Sequence, residues 1–111
     1  MKRILLGYMG AAVLMLLAIH AAMGSEKVGV SEVTIDNFNF KPQTLTVAVG
    51  TKVTWVNRDD VPHTVVSVDK KTIMSPALDT DEKFAYTFTA PGTYDYYCSV
   101  HPHMKGKIIV Q

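Results

Sequence analysis

From residue 32 onwards the sequence is a succession of short segments rich in valine, threonine, isoleucine and aromatic residues, separated by turn signals. Such segments are typical of the strands of an all-β sandwich or barrel. No convincing helical periodicity interrupts them. The partial alternation of apolar and polar residues predicts seven strands: Glu32 to Asp36, Leu45 to Val49, Lys52 to Asn57, Thr64 to Val68, Phe84 to Phe88, Thr93 to Tyr97 and Gly106 to Val110.

The connections between these strands carry proline, glycine and charged residues. The charged run Arg58, Asp59 and Asp60 is interpreted as a solvated turn. The least regular segment extends from Asp69 to Glu82, contains Pro76 and has little periodicity. We expect it to be a long surface connection with at most one helical turn.

The first 24 residues have the pattern of a secretory leader. Met1-Lys2-Arg3 precedes an apolar run from Ile4 to Ala18, and Ala22-Met23-Gly24 offers a site for cleavage before Ser25. The sequence therefore predicts a leader at residues 1–24 and a mature domain at residues 25–111, exported to the periplasm or the cell exterior. Membrane attachment is expected only if the apolar run stays uncleaved, since its length approaches that of a membrane span.

Length, charge and cysteine content limit what the mature domain can be. With 111 residues the chain has room for one small domain. Its 11 basic and 10 acidic residues leave it close to neutral, which gives no basic surface for nucleic acid. Cys98 is the single cysteine, so it cannot form a disulfide within the chain. In an oxidising compartment this thiol should be shielded, bridged to another chain or bound to a metal.

Four potential metal ligands are the most informative feature. Cys98, His101 and Met104 recur at every third residue between two predicted strands, and His63 lies at the start of an earlier one. Each alone has an ordinary structural explanation, but a thiolate, two imidazoles and a thioether together suit copper that cycles between Cu(I) and Cu(II). Magnesium and calcium prefer oxygen ligands. Zinc is a weaker candidate, because a thioether is a poor substitute for its usual ligands.

Two segments, residues 50–63 and 88–107, make the chain resemble the cupredoxins, and more specifically the amicyanin-like blue-copper proteins. The short Cys-x-x-His-x-x-Met loop is similar to that of amicyanins. This resemblance implies an all-β fold, a Greek-key β-sandwich of cupredoxin type, which we expect to be antiparallel. It also implies that Asn57 braces the ligand loop and places a backbone N–H near the sulfur of Cys98.

The resemblance further implies one mononuclear copper ion. His63, Cys98 and His101 correspond to the equatorial ligands, and Met104 to the long axial ligand. His103 stands where amicyanins usually carry an aromatic residue. His103 could replace His101 as a ligand, but the family spacing favours His101, so His103 is interpreted as a rim or pH-responsive residue.

The function expected from this reading is one-electron transport. Redox partner proteins would dock weakly near His101, at an apolar patch that includes Pro62, Val100 and Pro102, and the carrier would be a monomer without a small-molecule substrate. The alternative is a copper-binding protein that delivers the ion. An enzyme is not expected, because a trinuclear copper cluster needs about eight histidines and the chain has 4.

Overall fold

The computed structural model describes residues 30–111, so the predicted leader at residues 1–24 lies outside the described range. Between residues 30 and 111 the regular structure consists of strands, and no segment has the helical length and hydropathy needed to cross a membrane. The strands are β1 (Val30–Asp36), β2 (Asn39–Lys41), β3 (Thr44–Val47), β4 (Lys52–Asn57), β5 (Val66–Ser67), β6 (Lys83–Thr87), β7 (Gly92–Tyr97) and β8 (Lys105–Val110).

The strands form two four-stranded sheets, ordered β2-β1-β4-β6 and β3-β8-β7-β5. The expected all-β sandwich is confirmed, but the expectation of purely antiparallel sheets is wrong. Strand β1 pairs in parallel with β4, and β3 pairs in parallel with β8. The reason is the chain path: after the β1–β2 hairpin the chain crosses to the other sheet as β3, and β4 then re-enters the first sheet in the direction of β1.

Two segments differ from the strands predicted from the sequence. Strand β2 was not predicted, because three residues before Pro42 are too few to show alternation. The strand predicted from Thr64 to Val68 is reduced to β5. The following connection folds back against it through the bridges His63 to Leu78 and Val66 to Met74, and contains no helical turn.

The core lies between the sheets and combines many aliphatic side chains with a few large aromatic ones. Trp55 on β4 and Phe88 after β6 are fully buried, and Tyr96 on β7 is 1% exposed. The Tyr96 ring packs directly over Gly106, its partner on β8, where a Cβ atom would collide with it. Burial raises the pKa of Tyr96 to about 12, since the phenolate would have to lose its hydration.

Candidate metal centre

His63 is placed by the segment that follows β4. Its backbone N–H donates to the Leu78 carbonyl at 3.1 Å, and the Leu78 N–H donates back to the His63 carbonyl at 2.7 Å. The connection between β5 and β6 therefore forms one wall of the histidine's surroundings, and the His63 side chain is fully buried.

Cys98 follows β7 and continues the alternation that buries Tyr96, so its thiol points inward, as predicted, and is fully buried. The loop that it begins is closed by its own backbone. The Cys98 N–H donates to the Met104 carbonyl at 3.1 Å, and the Met104 N–H donates to the His101 carbonyl at 2.9 Å. This closure brings His101 back towards the thiol.

Three of the four predicted ligands, His63, Cys98 and His101, lie close together. The Cys98 Sγ lies 3.8 Å from Nδ1 of His63 and 3.7 Å from Nδ1 of His101. The two Nδ1 atoms are 3.1 Å apart. A tightly bound first-row ion held in a plane at about 2.0 Å by nitrogen and about 2.3 Å by sulfur would have ligand atoms about 3.5 to 3.8 Å apart. The three donors therefore fit one small metal ion after a slight spreading of the imidazoles.

Met104 and His103, the other candidate ligands of the loop, differ in how deeply they are buried. Met104 is 5% exposed and belongs to the core cluster, and its backbone closes the ligand loop. Its role as axial ligand stays a prediction. His103 is exposed. Among the described residues, the group able to hold a metal contains His63, Cys98 and His101 and does not include His103.

The thiol is held by Thr64, which sequence reasoning did not single out. The Thr64 N–H lies 3.3 Å from the Cys98 sulfur, and its hydroxyl lies 3.7 Å from the same atom. Asn57 braces the preceding turn: its Nδ2 donates to the carbonyls of Val61 and Leu78, at 2.9 and 2.8 Å. Asn57 therefore braces the segment that leads to His63, and the N–H expected at the Cys98 sulfur is present and belongs to Thr64.

The interpretation of residues 58–60 as a solvated turn is wrong for Asp59. Its side chain is 10% exposed, and its Oδ2 lies 2.8 Å from Nε2 of His63. Burial acts to raise the pKa of Asp59, but the hydrogen bonds from Phe38, Asn37 and His63 hold it below the usual value. The sequence did offer one signal for this contact, because Asp59 stands four residues before the predicted ligand His63. Ligand histidines usually donate their second N–H to a carboxylate or carbonyl.

A further residue over the site comes from the turn between β1 and β2. The Phe38 ring contacts the rings of His63 and His101 edge-on, with centroids 5.2 and 4.9 Å away, and Phe38 is 46% exposed. Exposed Val100 lies in the ligand loop beside the half-buried His101. No local sequence pattern reveals Phe38, because it reaches the site only through the folding of the hairpin.

Comparisons with known proteins agree with this geometry. Residues 8–110 match the family model of the cupredoxin-like domain. Amicyanin-alpha of Methylorubrum extorquens is 35% identical over 94 residues, which cover 81% of this chain and 79% of that relative. Amicyanin of Paracoccus denitrificans is 37% identical over 87 residues, covering 75% of this chain and 66% of the relative's length. A structure of a methionine-to-alanine variant of amicyanin with Cu(I) has a TM-score of 0.69 and 33% identity, covering 74% of this chain and 82% of that one. The chain therefore belongs to the cupredoxin-like family and is an amicyanin-like cupredoxin.

Proposed function

We propose that the protein is a one-electron carrier whose mononuclear type 1 copper site is formed by His63, Cys98, His101 and Met104. The observation that carries this proposal is the convergence of one thiol and two imidazole nitrogens within 4.8 Å at one end of the sandwich. This soft nitrogen and sulfur set is the one expected for a blue-copper centre.

A copper ion bound by these residues would supply the Cu(I)/Cu(II) couple. The surrounding residues serve to keep the site the same in both oxidation states. His63 is fastened to the β5–β6 connection, and Cys98 is fastened to Thr64 and to the backbone of Met104. Because these supports belong to the folded sandwich, the ligands have little freedom to rearrange, which favours fast electron transfer.

The electron port of the proposed carrier is His101, the one half-buried member of the three. The proposed docking patch includes Phe38, whose ring contacts His101, together with exposed Pro62, Val100 and Pro102. A small patch favours weak and brief docking of redox partner proteins. We include in the proposal that the protein is a monomer, and that it uses neither nucleic acid nor a small-molecule substrate.

The proposal also places the carrier in the periplasm, after removal of residues 1–24. It is supported by the charged start and the apolar run of the leader. Cell fractionation with mass spectrometry of the mature N-terminus tests it. A mature protein that begins at Ser25 in the periplasmic fraction is expected, and an uncleaved protein in the membrane fraction would contradict it.

The copper site is tested by adding copper to the purified mature protein and recording its visible and spin-resonance spectra. The oxidised protein should show the intense absorption of a thiolate–copper bond. Cys98→Ala and His101→Ala should lose this absorption, whereas His103→Ala, the matched control in the same loop, should keep it. A colourless oxidised copper form of the unmodified protein would refute the blue-copper proposal.

Transport of electrons is distinguished from delivery of copper by the fate of the ion. A carrier should keep its copper through repeated cycles of reduction and oxidation. A delivery protein should transfer its copper readily to a metal-free acceptor and lose its colour. That result would contradict electron transport and support copper delivery. We propose no enzymatic activity, because neither an electron carrier nor a copper-delivery protein consumes a substrate of its own.

A further inference from the structure

The Asp59 carboxylate collects three hydrogen bonds at the edge of the metal centre. Its Oδ1 accepts the backbone N–H of Asn37 at 2.6 Å. Its Oδ2 accepts the backbone N–H of Phe38 at 2.9 Å and lies 2.8 Å from Nε2 of His63. Hydrogen bonds to an ionised carboxylate are among the stronger ones in proteins.

The position of this carboxylate is itself fixed by the fold. The Asp59 N–H donates to Oδ1 of buried Asn57 at 2.9 Å, and the Asp59 carbonyl accepts the hydroxyl of Thr80 at 2.6 Å. The turn after β4 therefore cannot carry the carboxylate away from His63 without breaking several other bonds.

The two backbone donors belong to an unusual turn. Asn37 and Phe38 both have positive φ angles, 53° and 60°, which place consecutive N–H groups around a common acceptor. Residues other than glycine adopt this backbone conformation at an energetic cost. The Asp59 carboxylate offsets that cost by accepting both N–H groups. The same turn carries the Phe38 ring to the imidazoles of His63 and His101.

We infer that Asp59 is a positioning residue of the metal centre: its carboxylate fixes the proton of His63 on Nε2, so that Nδ1 presents its lone pair to the metal and donates more strongly to it. This inference rests on the proposed copper site and names a residue that tunes it. A carboxylate that only accepts hydrogen bonds leaves Nε2 as the donor. Its negative charge also favours the more highly charged Cu(II) state over Cu(I).

The first test is the reduction potential of the copper-loaded protein at neutral pH. Asp59→Asn keeps the shape of the side chain but removes its charge. We expect the redox equilibrium to move at least about tenfold towards Cu(I), which is about 59 mV for a one-electron couple. Asp60→Asn is the matched control, since it removes the same charge from the neighbouring exposed side chain, and it should shift the equilibrium much less.

Metal affinity and the conservative variant separate positioning from a merely structural role. Asp59→Ala should weaken copper binding by about 10- to 100-fold in competition with a chelator. Asp59→Glu keeps the charge and should restore much of the original potential. If both Asp59→Asn and Asp59→Glu lowered thermal stability while the potential stayed at that of Asp60→Asn, Asp59 would only hold the turn and the inference would be refuted.

A measurement on the unmodified protein covers the case in which the variants do not fold. In the metal-free protein, where no metal occupies Nδ1, nitrogen–proton correlation spectra should show a slowly exchanging proton on Nε2 of His63. A proton on Nδ1 would overturn the inference. Failure of the proposed function would look different. If the unmodified protein showed no blue absorption band, the copper site itself would be refuted. If the protein were blue but Asp59→Asn had the same potential as Asp60→Asn, only the inference about Asp59 would be refuted.

Discussion

Thr64 shows how one residue can join the two segments that carry the ligands. Its N–H points to the Cys98 sulfur, and its hydroxyl accepts the Ser99 N–H at 2.7 Å and lies 2.8 Å from the Ser99 hydroxyl. Thr64, the residue after His63, is thus hydrogen-bonded to Cys98 and Ser99, the first two residues of the ligand loop. These hydrogen bonds hold the two segments in register with each other.

Thr64→Val separates the side-chain contribution from that of the backbone. The variant keeps the N–H donor to the Cys98 sulfur and loses the acceptor of the Ser99 N–H. We expect the free energy of unfolding to fall by about 1 to 3 kcal/mol, measured by urea denaturation of the metal-free protein. Thr89→Val, at an exposed position, is the control and should have little effect. Equal stability of the two variants would show that the hydroxyl is not needed.

At the scale of elements, the connection after β5 depends on a tight turn centred on Asp69. The Asp69 carboxylate accepts the Ser67 hydroxyl at 2.6 Å, the N–H groups of Lys71 and Thr72 at 2.9 and 3.0 Å, and the Thr72 hydroxyl at 2.5 Å. The chain then reverses, so that the Ser67 N–H donates to the Ile73 carbonyl at 2.8 Å. This reversal begins the connection that ends against His63.

The pH dependence of Asp69→Asn tests this turn. Hydrogen bonds from the side chains of Ser67 and Thr72, and then from the backbone, hold the pKa of Asp69 well below its usual range. The folded pKa is lower than the unfolded value of about 4, so the contribution of Asp69 to stability is present above about pH 4 and is lost as the pH falls through the folded pKa.

The metal-free protein should therefore be more stable than Asp69→Asn at pH 7, and the difference should shrink in acid. Urea midpoints measured between pH 7 and pH 2 provide the comparison. Asp60→Asn, which changes an exposed carboxylate, is the control. A difference between the protein and its Asp69→Asn variant that stayed constant across this range would contradict the assignment.

At the scale of the whole molecule, the candidate metal centre connects the two sheets. His63 follows β4 of the first sheet, while Cys98 and His101 lie in the loop between β7 and β8 of the second. A metal bound by all three would close the end of the sandwich. Because the ligands are far apart in the unfolded chain, such binding favours the folded state.

Copper should therefore stabilise the whole domain. At free copper about a thousandfold above the Kd, the gain expected from mass action is about 4 kcal/mol, and calorimetry with and without copper would measure it as a rise in Tm. Cys98→Ala should lose most of this gain, while His103→Ala should keep it. A gain that persisted in full in Cys98→Ala would place the metal elsewhere.

The sequence by itself determined the features that depend on neighbouring residues. Alternation placed most of the strands and pointed Cys98 into the core, because successive side chains of a strand face opposite sides. The three-residue spacing of Cys98, His101 and Met104 singled out one loop. His63, at the start of an earlier predicted strand, completed the donor set, and the structure brings it beside the thiol.

Only the tertiary structure decided the features that depend on contacts between distant segments. The parallel pairings arise from where the chain crosses between sheets, and no single strand encodes that choice. From the sequence, Asp59 was interpreted as part of a solvated turn and Phe38 was not singled out. They meet at His63 because the β1–β2 hairpin and the turn after β4 lie side by side at one end of the sandwich, and that proximity exists only once both sheets have formed.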